Sequence, residues 1–193
     1  MKVFGLIRPR IRVVAGHRID TDRLTLRSPV AADAAPISAL LENWNVAHWL
    51  VRVPFPYRVE HAAAWIERSI QERAAGVGWP YLILRRDDHL LMGCMDISIE
   101  GDARGGTLGY WLGEDFWGHG YATEAARAVI GFAFDILKLN EVNASALPEN
   151  ERSMRVLEKA GLIHIGRQVE DTVERGRVDT EGFALQRKFW RGS

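Results

Sequence analysis

The stretch Phe116-Trp-Gly-His-Gly-Tyr-Ala-Thr-Glu-Ala125 follows a predicted strand over residues 107–112 and leads into a predicted helix over residues 122–137. The helix prediction rests on apolar residues that recur three and four positions apart, as on one buried helical face. A glycine turn at a helix start leaves successive backbone N–H groups unpaired, and the helix dipole adds partial positive charge there. Gly118 and Gly120 carry no Cβ that would hold a phosphate oxygen away. The stretch therefore predicts a turn that binds a pyrophosphate.

Two better-known glycine motifs do not fit this turn. A dinucleotide-binding fingerprint would need glycine where Thr123 stands, and a P-loop would need Gly-Lys-Ser/Thr after the turn. A lone Gly-x-Gly pair also occurs where a chain simply turns tightly. The turn alone therefore leaves phosphate binding and plain turning open.

A second polar helix start lies at Asn150, with Ser153 three positions later. Asn150 is a good N-cap, and Leu157, Gly161 and Leu162 fit a Schellman ending, so the pattern predicts a short capped helix over residues 151–160. One interpretation is that these residues only form a capped helix. The other is functional: Asn150 and Ser153, both on the first turn, direct polar groups at a ligand.

The remaining elements follow from apolar periodicity and turn signals. They are predicted strands at 23–27, 79–84, 90–99, 142–146, 162–169 and 177–188, and predicted helices at 33–41 and 59–74. Some neighbouring strands are joined by hairpins and others by helices, which predicts an α/β (α+β) fold with a mixed sheet. Residues 1–20 are predicted to form an N-terminal arm or extra strand, and residues 21–190 a single domain. Basic residues near the N-terminus indicate either a surface that steers an anion or a solvated face.

Composition excludes several classes of protein. The 193 residues carry 25 basic and 25 acidic side chains and are 47% hydrophobic, which is typical of an ordered globule and disfavours a nucleic-acid partner. Cys94 is the sole cysteine, so the chain has no internal disulfide and no cysteine-based zinc site. No apolar run approaches the ~20 residues of a membrane helix, and the N-terminus does not fit a signal peptide. We expect a cytoplasmic protein with no membrane partner.

Five motifs in sequence order resemble the GNAT superfamily of acyl-CoA-dependent N-acyltransferases, and more narrowly its branch of ribosomal-protein serine and alanine N-terminal acetyltransferases. They are Thr21-Asp-Arg-Leu-Thr-Leu-Arg27, Gly109-Tyr-Trp-Leu112, Trp117-Gly-His-Gly-Tyr-Ala-Thr-Glu-Ala125, Asn150-Glu-Arg-Ser153 and Glu158-Lys-Ala-Gly161. The resemblance covers residues 21 to about 187. The chain departs from the family's Gln/Arg-x-x-Gly-x-Gly/Ala motif at Asp115.

The resemblance implies a GNAT-type mixed, mostly antiparallel, splayed central sheet with helices on both faces. Acetyl-CoA would bind as co-substrate in a wedge between the strands at 107–112 and 142–146, with its pantetheine paired to backbone near Trp111 and Leu112 and in contact with Asn150. No metal is required. The pyrophosphate would rest on Trp117, Gly118, His119, Gly120, Tyr121, Ala122 and Thr123.

The implied chemistry is direct attack of an amine on the thioester in a ternary complex. By resemblance, Ser153 would supply a hydrogen bond or proton to the departing thiolate. Glu141 is the candidate general base, with a solvated strand-edge charge as the alternative interpretation. The weaker candidates are Asp96, Glu100, Glu170 and Asp171.

The acceptor amine stays open at this point. The candidates are an N-terminal α-amine of a protein and a small-molecule amine such as an amino acid, polyamine or antibiotic; a third alternative is a non-catalytic acyl-CoA-binding module. An open polar cleft would favour a peptide end, and a closed aromatic pocket a small amine. Aromatic residues of the same region are predicted to be core or to line the acceptor cleft; they are Trp44, Trp49, Phe55, Tyr57 and Trp65. We expect a monomer or a homodimer.

Overall fold

The computed structural model describes residues 17–99, 104–172 and 176–191. Within them the strands are β1 (Ile19–Asp20), β2 (Leu24–Arg27), β3 (Gly78–Arg85), β4 (Leu91–Ser98), β5 (Gly105–Leu112), β6 (Glu141–Ala146), β7 (Ile163–Thr172) and β8 (Gly176–Gln186). The α-helices are α1 (Ala34–Leu41), α2 (Trp44–Ala47), α3 (Val59–Ala75), α4 (Tyr121–Asp135) and α5 (Glu151–Lys159). Three 3-10 turns lie at Ala31–Asp33, Glu114–Phe116 and Arg187–Phe189.

The sheet has the order β1-β2-β3-β4-β5-β6-β8-β7, and every pair except β5–β6 is antiparallel. The predicted mixed, mostly antiparallel fold is therefore confirmed, and the predicted elements agree to within about three residues. Helix α2 was not predicted, because four residues are too few to show a helical period. Of the predicted N-terminal arm, β1 pairs with β2 as an extra strand, and residues 1–16 lie outside the described residues.

The helices cover both faces of the sheet. On one face α1 and α3 bury Ile37, Leu41 and Ile66 against Leu82 and Cys94. On the other face α4 and α5 bury one continuous apolar stripe against the central strands; its members include Val129, Ile130, Ala133, Phe134 and Leu157. Burying each large apolar side chain contributes about 1.5–3 kcal/mol, so both layers stabilise the sheet. No helix in the described part of the chain is long and apolar enough to cross a membrane.

The sheet opens into a wedge between β5 and β6. These strands pair only over Gly105–Thr107 and Glu141–Asn143, although β5 continues to Leu112. The Gly113 N–H donates to the Met92 carbonyl of β4, so the odd-numbered residues of β5 turn their backbone groups toward β4. The even-numbered residues, Tyr110 and Leu112 among them, therefore turn theirs into the wedge.

Candidate active site

The glycine turn presents unused backbone N–H groups at the start of α4. Gly118 and Gly120 both have φ of +80°, a left-handed conformation that favours glycine. The Glu124 N–H donates to the Gly120 carbonyl at 3.1 Å, but no N–H of residues 118–123 has an acceptor within the described residues. The amides that the sequence assigned to pyrophosphate binding are therefore available, and the dipole of α4 favours an anion there.

An ion-paired network fastens this turn to the start of β2. The Arg23 guanidinium donates to the His119 carbonyl at 3.0 Å and to the Glu124 carboxylate at 2.7 Å, and it lies over the Tyr121 ring. Thr21 Oγ1 also donates to Glu124, at 2.6 Å. Partial burial opposes ionisation of Glu124, but the hydrogen bonds from Thr21 and Arg23 lower its pKa. The first and third sequence motifs are thus parts of one site.

The backbone of β5 faces the wedge at Tyr110 and Leu112 rather than at Trp111. The Trp111 backbone groups point toward β4, where Trp111 pairs with Cys94. The Leu112 carbonyl accepts a hydrogen bond from Trp117 Nε1 at 2.9 Å. The Tyr110 backbone groups and the Leu112 N–H therefore face the wedge, so the strand-like pairing that was expected near Trp111 would have to involve Tyr110 instead.

The start of α5 holds Ser153 at the wedge. The Asn150 side-chain oxygen accepts the Ser153 N–H at 3.1 Å and caps the helix, as predicted. Gly161 and Leu162 donate to the carbonyls of Glu158 and Leu157 at the other end, which confirms the Schellman ending. Capping uses one lone pair of the Asn150 oxygen, so its second lone pair and its amide NH₂ group remain for a ligand.

Tyr110 reaches across the wedge to Ser153. The two side-chain oxygens are 2.6 Å apart, and the Tyr110 hydroxyl also lies 3.1 Å from the Ser153 carbonyl. Burial raises the pKa of Tyr110, against an opposing effect of Ser153, so the phenol stays protonated at neutral pH. When Tyr110 donates to Ser153 Oγ, the serine O–H is free to donate elsewhere. The sequence predicted a functional role for Ser153 but not for Tyr110. Side chains alternate along β5, and this alternation places Tyr110 on the face that packs against α5.

Replacing Tyr110 with phenylalanine tests this positioning role. We expect kcat to fall about tenfold, because one buried hydrogen bond contributes about 0.5–1.5 kcal/mol, while the affinity for acetyl-CoA changes little. Steady-state kinetics and calorimetry measure the two quantities. A Tyr110→Phe, Ser153→Ala double variant should lose no more activity than Ser153→Ala alone; additive losses would show that Tyr110 acts independently of Ser153.

The carboxylates named from sequence are dispersed. Glu141 begins β6 opposite Gly105, at the closed end of the wedge, and accepts a 3.4 Å hydrogen bond from Gln186. Gly109 lies in the open part of the wedge, beyond the end of the β5–β6 pairing. Gly105, and with it Glu141, is about 13 Å from Gly109 along β5, at roughly 3.3 Å per residue. Asp96 stands directly opposite Gly109. Glu170 of β7 accepts a hydrogen bond from Thr180, and Glu100 lies outside the described residues.

An open groove of about 460 Å³ runs from α2 to the start of α5. It is lined by Asn45, His48, Trp49, Glu114, Trp117, Glu149, Asn150, Glu151, Arg152 and Arg155. Hydrogen bonds from Asn43 and Asn45 lower the pKa of Glu114 and so keep a negative charge at its edge. Of the predicted aromatic cluster, Trp49 lines this groove, whereas Tyr57 is buried and 55% of Trp44 is exposed. The groove is therefore polar and open rather than a closed aromatic pocket.

No group of three metal-binding side chains lies together among the described residues. The candidate site thus consists of backbone amides, a capped helix start and a tyrosine–serine pair.

The chain is similar to known acetyltransferases along most of its length. Residues 23–163 match the acetyltransferase (GNAT) domain family. The uncharacterized N-acetyltransferase p20 of Bacillus licheniformis is 27% identical over 174 residues, which are 89% of this chain and 97% of that protein. The solved ribosomal-protein-S5-alanine acetyltransferase of Vibrio fischeri superposes with a TM-score of 0.77 at 18% identity, covering 91% of this chain and 99% of that one. The microcin C7 self-immunity acetyltransferase MccE, in complex with acetyl-CoA and AMP, gives 0.77 at 19% identity, with 86% and 93% covered.

Among the described residues the sheet is splayed at the parallel pair β5–β6, and unpaired amides lie at the start of α4 between these strands; with the match to the acetyltransferase domain family, this places the chain in the class of acyltransferases that use acyl-CoA. The chain belongs to the GNAT acetyltransferase family, as its motifs predicted. It is accordingly an acetyl-CoA-dependent N-acetyltransferase.

Proposed function

We propose that the acceptor is the N-terminal α-amine of a protein or peptide. The observation that carries this proposal is the open groove of polar and charged side chains beside Trp117 and Asn150. Such a groove can hold the backbone of several residues behind the reacting amine, whereas a small amine calls for an enclosed pocket. The likeness in fold to a ribosomal-protein-S5-alanine acetyltransferase supports the same class of acceptor.

The residues of the wedge would hold acetyl-CoA by the contacts that they leave unused. The amides of residues 118–123 would bind its pyrophosphate, and the Tyr110 and Leu112 backbone groups would pair with its pantetheine. Acetyl-CoA supplies the activated acetyl group. A backbone N–H of β5 that faces the wedge would donate to the carbonyl oxygen, where negative charge develops as the amine attacks.

Ser153 would assist departure of the thiolate. Its hydroxyl, held by Tyr110, would donate a hydrogen bond to the sulfur as the carbon–sulfur bond breaks. A thiol of pKa near 8.5 leaves with modest help, so one positioned donor suffices. An α-amine, with a pKa of about 7.7–8.0, is partly neutral at pH 7, which makes it a better nucleophile there than a lysine side chain.

A thiol-release assay over a panel of acceptors tests the proposal. We expect turnover with peptides that carry free N-termini, and none with the same peptides blocked at the N-terminus but retaining a lysine. Mass spectrometry of the product locates the acetyl group. Turnover of free amino acids or polyamines without turnover of any peptide would assign the enzyme to the small-molecule class instead, and binding of acetyl-CoA without any turnover would assign a binding module.

The proposal includes a monomer or homodimer that acts in the cytoplasm without a nucleic-acid or membrane partner. A formal net charge of zero and a single, buried cysteine support it.

A further inference from the structure

The Asp96 carboxylate lies over β5 at the open part of the wedge. Asp96 stands between Pro80 of β3 and Gly109 of β5. Its Oδ1 is 2.7 Å from the point that a Cβ on Gly109 would occupy, so only a glycine there leaves room for the carboxylate. Neither cross-strand neighbour has a side-chain donor, and no hydrogen bond or ion pair to the Asp96 carboxylate is found within the described residues.

Asp96 and Ser153 flank the same point of the wedge from opposite faces of the sheet. Gly109 is two residues beyond Thr107, where the β5–β6 pairing ends. The next residue, Tyr110, holds Ser153 on the α4–α5 face. Asp96 is two residues from Cys94 on β4 and therefore shares its face, which packs against α1 and α3. An amine that enters on the Asp96 face would therefore attack the thioester carbon of acetyl-CoA from that face, while the thioester sulfur lies toward Ser153 on the opposite face.

The surroundings of Asp96 favour a carboxyl group that exchanges its proton near neutral pH. Burial, reinforced by the negative charge of Glu72 on α3, raises the pKa of Asp96 to about 7, against an opposing effect of Arg52 in the loop before α3. Cys94, two residues away on the same face, has its own pKa raised by burial and stays a neutral thiol. Asp96 as a residue is partly rather than fully buried.

We propose that Asp96 is the general base of the acetyl transfer, an inference that rests on the function proposed above. The amine nitrogen forms a bond to the carbonyl carbon and loses one proton to the Asp96 carboxylate. The carbon–sulfur bond breaks, and its electron pair leaves with the thiolate toward Ser153. Asp96 then returns its proton to water, so no oxidant or metal is needed.

The pH dependence of Asp96→Asn tests the proposal. With an acceptor peptide, we expect kcat/KM of the unaltered enzyme to fall below pH 7 with a slope of about two, because both the carboxyl and the amine take up protons. The asparagine variant should keep a slope of about one, from the amine alone, and lose about 100-fold in kcat/KM. Glu67→Gln, which removes an exposed carboxylate of α3, is the matched control and should behave as the unaltered enzyme.

A titration without any acceptor separates this inference from the proposed function. Carboxyl ¹³C NMR should show one aspartate that titrates near pH 7, absent in Asp96→Asn and moved to lower pH in Glu72→Gln. A signal that titrates in the ordinary range would overturn the inference even if a peptide is acetylated. So would an asparagine variant that keeps the steep slope, or a Glu141→Gln variant that loses it in place of Asp96→Asn. If no peptide were acetylated but the aspartate signal still titrated near pH 7, the proposed peptide acceptor would be rejected and the assignment of Asp96 would not.

Discussion

Replacing Gly120 with aspartate should weaken binding of acetyl-CoA about 100-fold. Gly120 has φ of +80° and immediately precedes α4. A carboxylate there would accept hydrogen bonds from the amides that are proposed to bind the pyrophosphate, and it would repel the phosphates. Losing charge-assisted hydrogen bonds of about 1.5–3 kcal/mol each corresponds to this factor. Calorimetry with acetyl-CoA measures the change.

Two further variants separate charge from backbone strain in this experiment. Gly120→Ala adds the same Cβ and the same left-handed strain at φ of +80° but no charge, so it should weaken binding less than Gly120→Asp does, and the difference measures the charge. Gly176→Asp makes the same charge change at another left-handed glycine, with φ of +65° and nothing within 4 Å of the added Cβ; its affinity should stay unchanged. Equal affinity in Gly120→Asp and the unaltered enzyme would refute the pyrophosphate turn.

Ser153→Ala should lower kcat on the order of 100-fold while the affinity for acetyl-CoA stays within about threefold. Alanine removes the hydroxyl that is proposed to donate to the departing sulfur, and a positioned proton or hydrogen-bond donor contributes about 100-fold or more. The backbone N–H of residue 153 still donates to the Asn150 cap, so α5 keeps its start. Single-turnover kinetics reports the chemical step directly.

Ser153→Thr provides the rescue for that variant. Threonine keeps a hydroxyl within reach of Tyr110 and should restore most of the turnover. If the alanine variant turned over at the unaltered rate, the serine would have no part in the reaction, and the Tyr110–Ser153 pair would only stabilise the fold. Thermal unfolding of both variants shows whether any loss of activity follows from a loss of stability.

The sequence predicted correctly those structural features that depend on residues close to one another in the chain. The cap at Asn150, the Schellman ending at Gly161 and the left-handed glycines of the turn each depend on residues within one helical turn or one loop. Their geometry is therefore readable from spacing. The same holds for α3 and α4, whose length gives a clear helical period.

Contacts between distant segments escaped prediction. Tyr110 and Ser153 are 43 positions apart in sequence and meet through side chains 2.6 Å apart. The choice of Glu141 as base rested on a strand edge near the wedge, but the register of β5 against β6 places it opposite Gly105, away from Gly109. The family resemblance implies pantetheine pairing near Trp111, yet the β4–β5 hydrogen-bond pattern turns the Trp111 backbone toward β4.

The amino-acid sequence alone thus defined the family, the order of elements and the glycine turn before α4, because these depend on residue types at short spacings. Which side chains meet at the wedge is determined by the register of the strands in the folded sheet. A shift of one residue in strand register exchanges the faces of every side chain, and nothing in the spacing of Asp96, Tyr110 and Ser153 along the chain specifies that register.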